Sequence, residues 1–174
     1  MNNLLERMLR AARLDAQVYE EVEADTRATG QAMTVVVLSS LAAGLGTVVR
    51  DGVSGVLVTT VFALIAWYLW ALLTYWIGTR LLPEPQTKSD VGELLRTTGF
   101  SSAPGILRLA GIIPGLTTPV FFVAGIWMLV TMVVAVRQAL DYTGTARALA
   151  VCAVGWGIQA GVLVLLFSIF SPAG

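Results

Sequence analysis

Asp90 to Gly115, reading DVGELLRTTGFSSAPGILRLAGIIPG, is the stretch on which the fold turns. The other long apolar runs read as plain membrane spans. This one carries an Asp90-x-x-Glu93 capping signal, Arg96 and Arg108, the hydroxyls of Thr97, Thr98, Ser101 and Ser102, an internal Pro104 and a Pro114-Gly115 stop. The capping pair opens a helix and the Pro-Gly pair ends it, so the pattern predicts one membrane helix over about 91–113. At helical spacing Thr97, Ser101, Pro104, Arg108, Gly111 and Gly115 share one face. Lipid cannot satisfy such a face, so it is expected to meet protein or a water-filled cavity. Pro104 cannot donate to the Phe100 carbonyl, which predicts a kink that serves either packing or a site.

Working outward, composition agrees with a membrane setting. The chain is 56% hydrophobic and 13% charged, with a mean hydropathy of +0.78. Soluble domains hold roughly 45–50% apolar and about 25% charged residues. Further spans are expected at about 31–49, 53–77, 119–136 and 148–170, giving five with the third. Before them, residues 3–27 read as one amphipathic helix that turns acidic at Glu20, Glu21, Glu23 and Asp25. It lies either in the membrane interface or on the protein's own cytoplasmic face. The fold class is thus an all-α integral membrane protein: a cytoplasmic amphipathic segment over 1–29 and a five-helix membrane domain over 30–174. The arginines at 7, 10 and 13 interrupt any signal-peptide core, so the N-terminus is expected to be retained.

Cations set the orientation. With the N-terminus inside, nine fall on the cytoplasmic side, and only Arg50 and Arg108 fall outside, as does the C-terminus. A charge at a helix centre costs about 2.5–3.5 kcal/mol, so Arg108 either snorkels to the outer surface or pairs with Asp51, the one carboxylate on that side. A second ionic layer is expected at the cytoplasmic end, where Arg96, Arg80 or Arg137 meets Glu23, Asp25 or Asp141. Small residues at Ser40-x-x-x-Gly44, Gly111-x-x-x-Gly115 and Ala153/Gly157/Gly161 favour close helix approach, within one bundle or between subunits.

Several chemistries drop out. The chain has no His and one Cys, Cys152, in an apolar run. There is no nucleophile–base pair, no paired intramembrane acid and no phosphate-binding glycine loop, so no enzyme, cofactor or metal is expected. No Asp or Glu falls inside a span, which argues against a proton-coupled pump. Zero net charge gives no reason to expect nucleic-acid binding.

Tyr19-Glu20-Glu21-Val22-Glu23-Ala24-Asp25, then Glu93-Leu94-Leu95-Arg96 with Gly99-Phe100-Ser101 and Pro104, and the Ile113-Pro114-Gly115 stop resemble a prokaryotic member of the Yip (Ypt-interacting protein) family. The resemblance covers most of the chain and implies an all-helical membrane domain without enzymatic activity. Eukaryotic relatives are associated with small prenylated GTPases and vesicle traffic. This chain lacks their D-L-Y-G-P-type motif near the first span, so that role is not carried over. Ten Arg against one Lys fits a GC-rich prokaryote and its plasma membrane. The expected function is a scaffold or adaptor for protein or lipid partners, with membrane lipids, a cytoplasmic protein and a second copy in a homo-oligomer as the candidates. The alternative is a passive channel or small-solute transporter lined by the Thr97–Ser101–Pro104–Arg108 face.

Overall fold

A computed structural model describes the backbone of residues 4–46 and 48–170, and their side chains except those of 48–55, 59, 163 and 165–170. The regular elements among the described residues are helical. Two short helices, α1 (Leu4–Ala12) and α2 (Ala16–Ala24), precede the long α3 (Ala28–Gly46) and α4 (Val48–Trp76). A π-helical turn over Ile77–Leu81 ends α4. Then come α5 (Val91–Phe100), a 3₁₀ helix (Ala103–Ile112), α6 (Thr117–Ala139) and α7 (Thr145–Phe170). Four described stretches are long and apolar enough to cross a membrane: Ala28–Gly46, Val56–Leu81, Thr117–Ala139 and Thr145–Val162.

The third segment differs from the single helix that its sequence suggests. Its start follows the pattern: the Asp90 side chain accepts from the Glu93 N–H at 2.9 Å, and the Glu93 carboxylate accepts from the Asp90 N–H at 2.9 Å. The helix then stops at Phe100, ahead of Pro104, and the bonding changes from i−4 to i−3, as in Ser102 N–H to the Gly99 carbonyl. Pro104 takes the first turn of the 3₁₀ piece, where its missing N–H costs nothing. Thr131 on α6 donates to the Ser101 carbonyl at 2.7 Å and so occupies a group freed at the break. Gly115, at φ +85°, makes the turn into α6.

The shorter period regroups the side chains. In 3₁₀ geometry residues three apart eclipse. Gly105, Arg108 and Gly111 therefore form one inward row, while Ile106, Leu109 and Ile112 form an outward one. Gly99 lies against Ala32, Gly105 against Ser39, and Gly111 against Gly46 and Phe121. The broken segment thus runs parallel to α3 and antiparallel to α6, wedged between them.

The N-terminal segment, expected as one helix, is a hairpin. Leu14, at φ +64°, reverses the chain, and Asp15 caps α2 by accepting the Gln17 N–H at 3.0 Å. Its inner face enters the main core: Met8, Ala11, Val18, Tyr19 and Val22 are buried with Ala32, Val35, Phe100, Ala103 and Ala135. The Tyr19 hydroxyl donates to the Ala11 carbonyl and ties the two arms together. Leu5, Leu9 and Leu14 face outward. A second cluster joins α4, the π turn, α5, α6 and α7 through Ala71, Ile77, Leu94, Val136, Leu140 and Val151. Tyr142 closes that end by donating to the Gly78 and Leu82 carbonyls at 3.1 and 2.8 Å, around the π turn.

Glycine spacing on α7 does not pack as α3's does. Gly44 meets Val56, whereas Ala153, Gly157 and Gly161 face outward and a Cβ on Gly157 or Gly161 would touch nothing. Gly155 is the α7 glycine that packs, against the Trp70 ring.

Candidate functional site

Arg96 is the centre of the polar layer at the start of α5. It is 6% exposed, and its acceptors are backbone rather than the expected carboxylates. Nε donates to the Val22 and Glu23 carbonyls at 2.9 and 3.0 Å, and Nη2 donates to the Glu23 carbonyl as well. These are the last carbonyls of α2, which have no partner within their own helix and sit at its negative end. A guanidinium fork placed there fastens α2 to α5. Asp25 is taken instead by Arg7, at 2.9 Å, and Arg7 also donates to Gln31 at 2.9 Å. That contact holds the Asp25 carboxyl below the usual range. Arg10 links Asp15 and Glu21 at 2.7 and 2.8 Å. Arg137 reaches the Tyr142 and Thr143 carbonyls at 3.3 and 3.2 Å rather than a carboxylate, and Arg80 is exposed.

Glu23 is left over. Its Oε2 is shielded and has no hydrogen-bond partner among the described residues. Burial first, then the negative neighbours Glu93, Glu20 and Asp141, push its carboxyl up to about 8, with Arg96 pulling the other way. The folded chain therefore holds this proton more tightly than the unfolded chain does. Stability from that proton is complete below about pH 4.5 and is lost as pH rises through about 8. Glu23→Gln removes this slope and leaves the protein more stable than wild type at alkaline pH. Thermal unfolding in detergent between about pH 5 and about pH 9 reads it out; identical slopes for the two proteins would refute the assignment.

The polar face of the third segment is mostly consumed by internal bonds. Thr97 and Ser101 are 0% and 1% exposed. Thr97 Oγ1 donates within α5 to the Glu93 carbonyl at 3.0 Å, and Ser101 Oγ to the Thr98 carbonyl at 2.7 Å. Pro104 is buried. Arg108 is half-buried, with its guanidinium carbon 5.5 Å from the centre of the Phe121 ring. Its Nε is shielded and has no acceptor among the described residues. The Asp51 side chain, its expected partner, lies outside the described residues.

Beside this face lies a cavity of about 430 Å³. Its walls come from α3, α4, the break in the third segment, α6 and α7. Trp70 and Trp156 stack on one wall at 6.1 Å and 25°. Gln159 stands exposed on the wall. Two other tryptophans knit helices: Trp67 donates to the Leu95 carbonyl at 3.2 Å, and Trp127 to the Ala12 carbonyl at 2.7 Å.

Sequence reasoning missed the Arg7–Asp25–Gln31 cluster and the role of Arg96, because both depend on the hairpin. Asp15, a good helix N-cap two residues past Arg13, was the available signal for that hairpin.

A family model for the Yip1 domain matches residues 15–167, from the start of α2 into α7. No curated protein and no solved structure matches the chain. The matched region includes α2, the capped start of α5, the break at Pro104 and the helices that enclose them. With a model matched over most of its length and four helices fit to cross a bilayer, the chain belongs to the Yip family and is a multi-pass membrane protein.

Proposed function

We propose that this chain is a non-enzymatic membrane scaffold or adaptor that offers the outer face of α2 to a cytoplasmic protein. The observation that carries this is the mounting of α2. Val18, Tyr19, Val22 and the Arg96 fork fix its inner side, while Gln17, Glu20, Glu21 and Ala24 face outward as a rigid polar surface, with Glu21 held by Arg10 and Glu20 by Gln138. Rigidity lowers the ordering cost of binding a partner. The channel alternative has less support, since Thr97 and Ser101 spend their hydroxyls on neighbouring carbonyls.

In this reading the membrane domain crosses five times, with the N-terminus cytoplasmic and the C-terminus outside, in a prokaryotic plasma membrane. Neither piece of the third segment spans alone, but ten α and ten 3₁₀ residues end to end reach about 35 Å. Roughly 30 Å of hydrocarbon needs crossing. The outward Leu5, Leu9 and Leu14 suit the N-terminal hairpin to the lipid interface.

Photoreactive residues at Gln17 and Ala24 test the docking role in intact cells. The expected result is a discrete adduct with a cytoplasmic protein from both positions and none from the outward-facing Phe122 of α6. Cross-linking from α2 no different from that at Phe122 would sink it.

A further inference from the structure

The cavity beside the third segment is larger than a packing defect. At about 430 Å³ it falls in the range of small-molecule sites, roughly 300–1,000 Å³. Its apolar walls are supplied by Ala63, Trp67, Trp70, Met128 and Trp156. Its exposed lining residues, Ala66 on α4, Leu129 on α6 and Gln159 on α7, sit on outward helix faces, so the opening looks toward the surface that lipid would cover. The charge within is one-sided. Arg108 lines the cavity, and no carboxylate does among the described residues. Arg108 donates no hydrogen bond among the described residues, and the Trp70 indole N–H is likewise shielded and unpartnered. The guanidinium is half-buried, its Nε is shielded without an acceptor among the described residues, and an anion placed there would supply one.

We propose that this cavity binds a single-chain anionic amphiphile, with its carboxylate or phosphate at Arg108 and its acyl chain along Trp67, Trp70 and Trp156. A membrane-facing entrance, an aromatic and aliphatic wall and a cation with no carboxylate beside it among the described residues match that chemistry in each part. The neutral glyceride lacks the group that Arg108 needs. A fatty acid and a lysophosphatidate both have it, and they differ in headgroup geometry.

The test uses the full chain in nanodiscs of zwitterionic lipid and reads tryptophan quenching by three brominated probes of equal chain length: dibromostearate, the corresponding lysophosphatidate and the neutral monoacylglycerol. Saturable quenching by an anionic probe, at least about tenfold tighter than by the glyceride, is expected. Whether carboxylate or phosphate is preferred identifies the headgroup. Arg108→Gln should weaken the anionic probe by about tenfold or more. Gly125→Leu fills the cavity from α6 at a position with nothing within 4 Å, leaves the charge in place and should abolish saturable quenching. Absence of saturation in the wild type, equal binding of the glyceride, or undiminished binding in either variant overturns the proposal.

Discussion

Arg96→Leu should lower stability by about 3 kcal/mol and release α2 from the bundle, the largest effect expected of any single side chain here. Arg96 is buried, and its fork meets two carbonyls at the end of α2. Each hydrogen bond from a charged donor contributes about 1.5–3 kcal/mol, and losing the donor strands carbonyls that no other side chain reaches among the described residues. Leucine fills part of the volume but satisfies neither acceptor. Arg96→Lys should recover only part of the loss, because an ammonium cannot place donors on both carbonyls in the plane that the guanidinium uses. Thermal unfolding in detergent gives the stability change. Limited proteolysis gives the structural one: cleavage near Asp25–Arg27, slow in the wild type, becomes fast in the variant. Unchanged melting and unchanged cleavage would mean that α2 is held by its apolar face alone.

Gly46→Ala carries the second large effect, about 2–3 kcal/mol of destabilisation. A Cβ at Gly46 would overlap the Arg108 carbonyl oxygen and press on the Phe121 ring. The first of these is backbone, which cannot rotate away, so α3 and the 3₁₀ helix have to separate. Helix propensity alone would favour alanine by about 1 kcal/mol, and the overlap outweighs it. Gly99→Ala, 2.7 Å from the Ala32 Cβ, should behave similarly one helical stretch lower. Gly157→Ala is the control: its Cβ meets nothing, so its melting temperature should hold or rise. If Gly46→Ala and Gly157→Ala melt alike, the close approach of α3 to the third segment is not what holds that end together.

The long apolar runs were legible because a bilayer demands a length of uncharged residues and little else. The Asp90–Glu93 box and the Gly115 stop were legible for a similar reason: each is a local arrangement between residues close in sequence. Arg96 was recognisable as a paired cation, but its partners are carbonyls of Val22 and Glu23, and a backbone acceptor leaves no mark in residue type. The wheel drawn through Thr97, Ser101, Pro104 and Arg108 assumed one helical period throughout. That face stays inward through Pro104, Arg108 and Gly111, but past Phe100 the period shortens, so Gly105 joins the row and Gly115 leaves it for the turn. The hairpin at Leu14 was hidden by a different ambiguity. A leucine in left-handed backbone is uncommon, so the sequence continued smoothly where the chain reverses.

These features meet in one claim, that the polar third segment is a dry structural wedge on which α2 is mounted. Cysteines at Thr97 and Ser101, in a Cys152→Ala background and in membranes, test it most directly. Both positions are closed to solvent and both hydroxyls are engaged. The expected result is that membrane-impermeant thiol reagents added to either side leave both cysteines unmodified until the protein is denatured. Rapid modification of both in the native protein, together with solute flux through proteoliposomes, would make this face the lining of a water-filled path and contradict the wedge.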